Sequence, residues 1–216
     1  MSPDSSQSGL VVEDLARRFG RRWAVARVHV TVPRGSTLMV TGANGSGKTT
    51  LLRCIATALR PDHGMARWNG MDLWVDRHLA RREVSLYSHA PAIYEDLSGP
   101  ENLAVWARLG GWEARVGERL AEVGLEVRHD PVRTWSAGMR RRLAWARALL
   151  KEPSLLLLDE PFAALDPEGR QLVHDIVRTQ QERGTTVVMA THLPEEARAL
   201  CDQHIHLEAG RLVRRA

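Results

Sequence analysis

The 216-residue sequence predicts an α/β fold with a parallel-sheet core, an antiparallel β subdomain before it and a helical insertion within it. Three observations carry that reading. First, Thr37-Leu38-Met39-Val40-Thr41, Leu155-Leu156-Leu157-Leu158 and Thr185-Thr186-Val187-Val188-Met189-Ala190 are short, nearly continuous apolar runs. Strands buried on both faces of a parallel sheet have that composition. Second, residues 10 to 32 alternate loosely and contain Val28-His29-Val30-Thr31-Val32, a half-buried strand pattern. Third, the character from about Ala80 to Leu150 becomes helical.

The elements follow in order. Met1 to Ser8 has neither the basic start nor the apolar core of a signal peptide, so residues 1–9 are expected to be a disordered tail. Residues 10–216 are expected to form one domain, with a helical subdomain at about 85–150. Pro33-Arg34-Gly35 and Pro61-Asp62-His63-Gly64 are turns, and Met65 to Trp74 reads as a hairpin around Asn69-Gly70. Glu101 to Leu109 is one helix, and Val116, Leu120 and Val123 form the packing stripe of another. Asp166-Pro167 opens a helix as N-cap and first residue, and Gly184 closes it. Pro194 to Leu200 is a short helix, and a last hairpin turns at Glu208-Ala209-Gly210.

Composition narrows the function. Hydrophobic residues at 44% and charged residues at 26% are ordinary for a soluble globular chain, and no apolar run is long enough to span a bilayer. The net charge of +4 is spread over scattered arginine pairs such as Arg17-Arg18 and Arg81-Arg82, without an aromatic-interleaved stripe. That argues against a nucleic-acid partner. Cys54 and Cys201 lack metal or haem-attachment spacing and are expected to be buried, reduced thiols in a cytosolic protein.

Gly42-Ala43-Asn44-Gly45-Ser46-Gly47-Lys48-Thr49 reads G-x-x-x-x-G-K-[ST], between a strand pattern and the helical run that starts at Thr50. This is the P-loop motif in its required context. Glycines let backbone N–H groups close on phosphate oxygens, and the helix N-terminus adds partial positive charge. Residues Gly42 to Thr50 are therefore candidate nucleotide-binding residues, with Lys48 reaching the β- and γ-phosphates and Thr49 a ligand for Mg²⁺. Leu155 to Leu158 ends in Asp159-Glu160. Carboxylates at the end of a buried strand stand where a P-loop holds phosphate, so Asp159 is the second expected Mg²⁺ ligand and Glu160 the group that orients or deprotonates water.

Trp135-Ser136-Ala137-Gly138-Met139, lying between these two motifs, precedes a basic helix. The arrangement resembles the signature of ATP-binding-cassette (ABC) ATPases, usually Leu-Ser-Gly-Gly-Gln. Ser136 and Gly138 match, Ala137 is a common variant, and Trp135 and Met139 depart. The resemblance implies that Ser136 and Gly138 contact the γ-phosphate of ATP held by a second copy. It also places Ala163-Ala164-Leu165-Asp166 at the D-loop and His192 at the γ-phosphate-sensing switch. Phe19 stands where the family often stacks an aromatic on adenine, and a plain core position suits it equally.

The resemblance runs from about Leu10 to Arg214 and implies an ATP hydrolase with ATP and Mg²⁺, catalytic Glu160, Lys48 and His192, and a head-to-tail homodimer. The expected partners are transmembrane permease subunits at the cytoplasmic face of the membrane. The segment from about Leu86 to Leu103 is expected to form a groove for their coupling helix. A soluble ABC scaffold, such as an iron–sulfur assembly ATPase, is the alternative. The family's Q-loop glutamine is missing, and His89 or Ala90 takes its place. That departure, the Ser-Ala-Gly followed by arginines, and Asp159-Glu160-Pro161-Phe162 with Ala-Leu-Asp after it resemble the haem-exporter ATPase subunits of cytochrome c maturation (CcmA type).

Overall fold

The computed structural model describes residues 9–88, 92–113 and 115–215. In chain order the elements are β1 (Leu10–Phe19), β2 (Arg22–Val32), β3 (Thr37–Thr41), α1 (Lys48–Ile55), β4 (His63–Trp68), β5 (Met71–Asp72), α2 (Arg77–Glu83) and β6 (Val84–Tyr87). There follow α3 (Gly99–Gly110), α4 (Val116–Glu122), α5 (Ala137–Leu149), β7 (Leu155–Asp159), α6 (Pro167–Glu182), β8 (Thr186–Ala190), α7 (Pro194–Ala197), β9 (Gln203–Glu208) and β10 (Arg211–Arg215).

Two sheets organise the chain. One is antiparallel, in the order β2-β1-β4-β5, with Asn69-Gly70 turning β4 into β5. The other runs β10-β9-β3-β8-β7-β6, parallel except for the edge strand β10. The runs of apolar residues now have a cause. Leu155 and Leu157 pack with α1 and the antiparallel sheet, while Leu156 and Leu158 pack with the helices on the opposite face. All four are fully buried, each worth about 1.5–3 kcal/mol of transfer free energy. The expected caps are present: Asp166 accepts from the Gly169 N–H at 2.8 Å, and Gly184 takes a left-handed φ of 76°. Ser98 and Glu101 form a reciprocal capping box on α3.

Three expectations are corrected. Gly9, placed in the tail, is buried, and its carbonyl accepts from the Asn69 N–H at 3.0 Å. Cys201 is only partly buried, though Cys54 is buried as expected; both thiols are free, and desolvation pushes each up to about 12. The helical reading of 80–150 missed β6, which pairs in parallel with β7 and belongs to the core sheet. Helix α2 runs into β6 without glycine or proline, so nothing in the sequence punctuates the change. Tyr87 of β6 stacks on Trp145 of α5 at 4.1 Å between centroids, and Ser85 Oγ donates to the Ala148 carbonyl at 2.6 Å. These contacts fasten the helical region to the sheet.

Trp135, where the resemblance expects leucine, is a core residue whose ring covers the start of α3. A Cβ on Gly99 would stand 2.4 Å from the ring's Cη2 atom. Gly99→Ala should therefore cost about 1–3 kcal/mol by overpacking. In a Trp135→Leu background the same change should cost no more than about 0.5 kcal/mol, because removing the ring removes the coupling between the two positions. Urea denaturation of the four proteins measures the cycle, and equal penalties in both backgrounds would rule this contact out as the cause.

Candidate nucleotide-binding site

The site lies at the C-terminal ends of three adjacent parallel strands. Register pairs Val40 of β3 with Ala190 of β8, and Ala190 with Asp159 of β7. The loop after β3, the carboxylates of β7 and the turn after β8 therefore emerge side by side, where α/β sheets bind ligands.

The loop from Gly42 to Gly47 wraps into α1, with the Ser46 N–H on the Ala43 carbonyl at 3.0 Å. Gly47 takes φ 108°, and a Cβ there would stand 2.1 Å from the Ala24 carbonyl oxygen. Only glycine satisfies both constraints. The turn between β9 and β10 holds the loop from outside, since the Gly210 N–H donates to the Ser46 carbonyl at 2.9 Å. Lys48 Nζ donates to the Gly42 carbonyl at 2.8 Å and the Ala43 carbonyl at 3.4 Å, and lies 3.4 Å from Glu160 Oε1.

Thr49 Oγ1 donates to Asp159 Oδ1 at 2.8 Å. A hydroxyl and a buried carboxylate are hard oxygen donors, so this pair suits Mg²⁺. Burial raises the Asp159 pKa from 3.8, opposed by the Thr49 hydrogen bond. Glu160 has a left-handed φ of 52°, which costs a residue with a side chain about 1–2 kcal/mol. Its N–H still donates to the Ala190 carbonyl at 2.8 Å, while the strained backbone turns its carboxylate toward Lys48 and His192. Glu160 Oε2 meets the His192 N–H at 3.1 Å and His192 Nδ1 at 2.7 Å. Thr191 fixes the turn that carries His192: its N–H donates to the Val40 carbonyl at 3.0 Å, and its Oγ1 accepts from the Leu193 N–H at 2.9 Å.

Phe19, Asn44, Gly45, Gly47, Lys48, Thr49, Thr50 and Glu160 line one cleft of about 390 Å³. Phe19 is 53% exposed, which excludes a core role, and the Arg17 guanidinium lies 5.1 Å over its ring. Arg22, not singled out in the sequence, lines the same cleft; its place beside Phe19 in a strand-to-strand turn was the available signal. Gly42, Ala43 and His192 line the adjoining cavity. Ser136 and Gly138 are not brought to this cleft. Both are exposed at the start of α5, where Ser136 accepts from the Met139 N–H at 3.2 Å, and Gly138 lines a separate cleft with Ala164 and Asp166. His89 and Ala90 lie outside the described residues.

Fold and cleft together define a P-loop nucleotide-binding domain. A family profile described as ABC transporter matches residues 25–163. The chain is 41% identical over 205 residues to the daunorubicin/doxorubicin resistance ATP-binding protein DrrA of Streptomyces peucetius, covering 92% of this chain and 62% of that protein. It is 38% identical over 200 residues to the cytochrome c biogenesis ATP-binding export protein CcmA of Methylococcus capsulatus, covering 91% of this chain and 97% of that protein. A solved dimeric structure of the ATP-binding cassette MJ0796, in a post-hydrolysis state with ADP and Pi, matches with a TM-score of 0.86 at 25% identity. That match covers 96% of this chain and 97% of the other. The chain belongs to the ABC transporter family. It spans less than two-thirds of the length of DrrA.

Asp159 yields a stability prediction. A raised folded-state pKa means that the fold binds this proton more tightly than the unfolded chain does. Stability therefore falls as pH rises from about 3.8 through the raised value. Asp159→Asn keeps an acceptor for Thr49 and removes the buried charge. Without nucleotide or magnesium, the variant should be more stable than the parent to chemical denaturation at pH 7. The advantage should shrink on acidification as the parent's carboxyl becomes neutral; an advantage that grew would contradict the assignment.

Proposed function

We propose that the chain is the ATP-hydrolysing subunit of a membrane exporter, working as a head-to-tail homodimer at the cytoplasmic face and energising separate membrane-spanning subunits. The observation that carries this reading is the convergence of Lys48, Thr49, Asp159, Glu160 and His192 at one cleft edge, with Phe19 at its mouth. Among the described residues no helix is long and apolar enough to cross a membrane, so the membrane path belongs to other chains in this reading. Haem export for cytochrome c maturation is the proposed process. It is supported by the similarity to CcmA over nearly the full length of both proteins.

Each residue's part follows from its contacts. Lys48 is held on loop carbonyls and opposite Glu160; an entering phosphate offers its ammonium a stronger partner. Loop N–H groups and the α1 N-terminus bind the remaining phosphate oxygens. Mg²⁺ on Thr49 and Asp159 would neutralise phosphate charge. Glu160, released by Lys48, is free to orient and deprotonate water. Nδ1–H donation to Glu160 makes Nε2 of a neutral His192 an acceptor, so His192 must give up that bond or carry a second proton to donate to a γ-phosphate. Ser136 and Gly138, exposed and remote from their own cleft's lining, are available to a second copy's nucleotide. The dimeric arrangement of the related cassette supports that role.

Glu160→Gln should bind ATP and hydrolyse it at least ~10²-fold more slowly, the usual magnitude of general-base catalysis. Near-normal turnover would remove Glu160 from the role. Purification from native membranes in mild detergent should recover a multispanning subunit together with haem-maturation components. Recovery of soluble assembly proteins alone would overturn the transporter assignment while leaving the hydrolysis assignment intact.

A further inference from the structure

The first hairpin carries a charged group that the chemistry at Lys48 and Glu160 does not use. Strand β1 turns into β2 through Gly20-Arg21, which pairs Phe19 directly with Arg22. Directly paired residues of an antiparallel ladder point to the same face, with Cβ atoms about 4.5–5.5 Å apart. Both residues accordingly line the nucleotide cleft. Arg17 and Arg18 on the same hairpin are engaged elsewhere. Arg17 reaches Asp62 at 3.3 Å and lies over the Phe19 ring, and Arg18 lies 5.7 Å over the Trp23 ring. Arg17 does not line the cleft, so it backs the Phe19 ring from the side turned away and helps to hold the ring's plane. Among the described residues, the charged side chains that line the cleft are Arg22, Lys48 and Glu160. Lys48 and Glu160 are held by loop carbonyls, His192 and each other. Arg22 is exposed, and its side chain makes no hydrogen bond, ion pair or ring contact among the described residues.

We propose that Arg22 reads the base of the bound nucleotide and tilts the cleft toward guanine, so that GTP is a substrate at least as good as ATP. The inference rests on the reading of this cleft as the nucleotide site with Phe19 as the platform for the base. A purine stacked on Phe19 lies within reach of the residue paired with Phe19. A guanidinium offers five N–H donors in a planar fork and no acceptor. Guanine presents O6 and N7 as adjacent acceptors, and arginine can engage both at once. Adenine presents N7 alone, and its N6 amino group sets a donor against donors. A phosphate role for Arg22 is less favoured. The phosphate end of the cleft already has Lys48, the loop N–H groups and the N-terminus of α1, whereas Arg22 is placed by its pairing at the platform.

The test is isothermal titration calorimetry with Mg²⁺ and nucleoside diphosphates, which are not turned over. The wild-type chain should bind GDP and IDP at least ~5-fold more tightly than ADP, the lower end of what a two-pronged arginine–guanine contact gives. IDP shares O6 and N7 with GDP and lacks only its amino group. 7-Deaza-GDP, without the N7 acceptor, should lose most of that advantage. Arg22→Ala should bring GDP down to the affinity of ADP, with a smaller loss for ADP itself. Arg22→Lys keeps the charge but not the planar fork, and should also lose the guanine preference. With triphosphates, the loss for GTP should appear in KM rather than in kcat. Equal losses of ADP and GDP affinity in Arg22→Ala would make Arg22 a phosphate contact and overturn the proposal. So would equal binding of GDP and 7-deaza-GDP, or GDP bound no more tightly than ADP by the wild-type chain. If the wild-type chain binds no diphosphate, or Phe19→Ala leaves the affinity for each of them as it was, the reading of the cleft itself has failed.

Discussion

Everything at the nucleotide cleft depends on one backbone constraint, the parallel register of β3, β8 and β7. Val40, Ala190 and Asp159 sit in one transverse row near the C-terminal ends of their strands. The ladder continues one step further through the Glu160 N–H to the Ala190 carbonyl and the Thr191 N–H to the Val40 carbonyl. Three segments distant in sequence are thereby fixed within hydrogen-bonding reach by bonds that involve no side chain. A one-residue slip of β7 would move Asp159 to the opposite face and exchange the two leucine pairs between the two cores. Because each leucine pair is buried in its own hydrophobic cluster, the packing that stabilises the fold also sets the geometry of the site.

Charge at the site is arranged so that its polar groups satisfy one another. Lys48 rests on carbonyls and near Glu160, Glu160 on His192, and Thr49 on Asp159. In the proposed function, a bound nucleotide would compete for these partners. Entry of phosphate at Lys48 in that scheme would also release Glu160, and a metal ion at Thr49 and Asp159 would offset the desolvation that raises the Asp159 pKa.

The chemistry was more legible in the sequence than the architecture around it. Gly42 to Thr49 could be read because the loop's function is a property of contiguous backbone, and Leu155 to Glu160 because burial on both faces forces a continuous apolar run. Strand β6 could not be read, since Val84 to Tyr87 continues from α2 without a breaking residue and owes its conformation to pairing with β7. The left-handed backbone of Glu160 was equally hidden; glutamate has no preference for it, and the surrounding ladder imposes it. Trp135 looked like a weakened motif, but its identity is set by the glycine it covers. Ser136 and Gly138 carry a recognisable pattern and yet stand apart from the P-loop, because motif order along a chain does not specify distance in the fold.

Helix α5 ties the exposed Ser136 to the core sheet. Ser136 caps its N-terminus, and Arg147 stands in its last turn, eleven residues on and roughly 16 Å away at 1.5 Å per residue. Leu143, Ala144, Trp145, Ala146, Ala148 and Leu149 are buried between those points, and Trp145 is stacked on the core sheet through Tyr87. A helix packed along that length moves as a unit, since bending it would open the close-packed interface on one side. In the proposed dimer, a γ-phosphate that draws Ser136 toward the opposing copy would therefore also displace Arg147. The amplitude would depend on how far the Tyr87–Trp145 stack and the Ser85–Ala148 hydrogen bond let α5 pivot against the sheet.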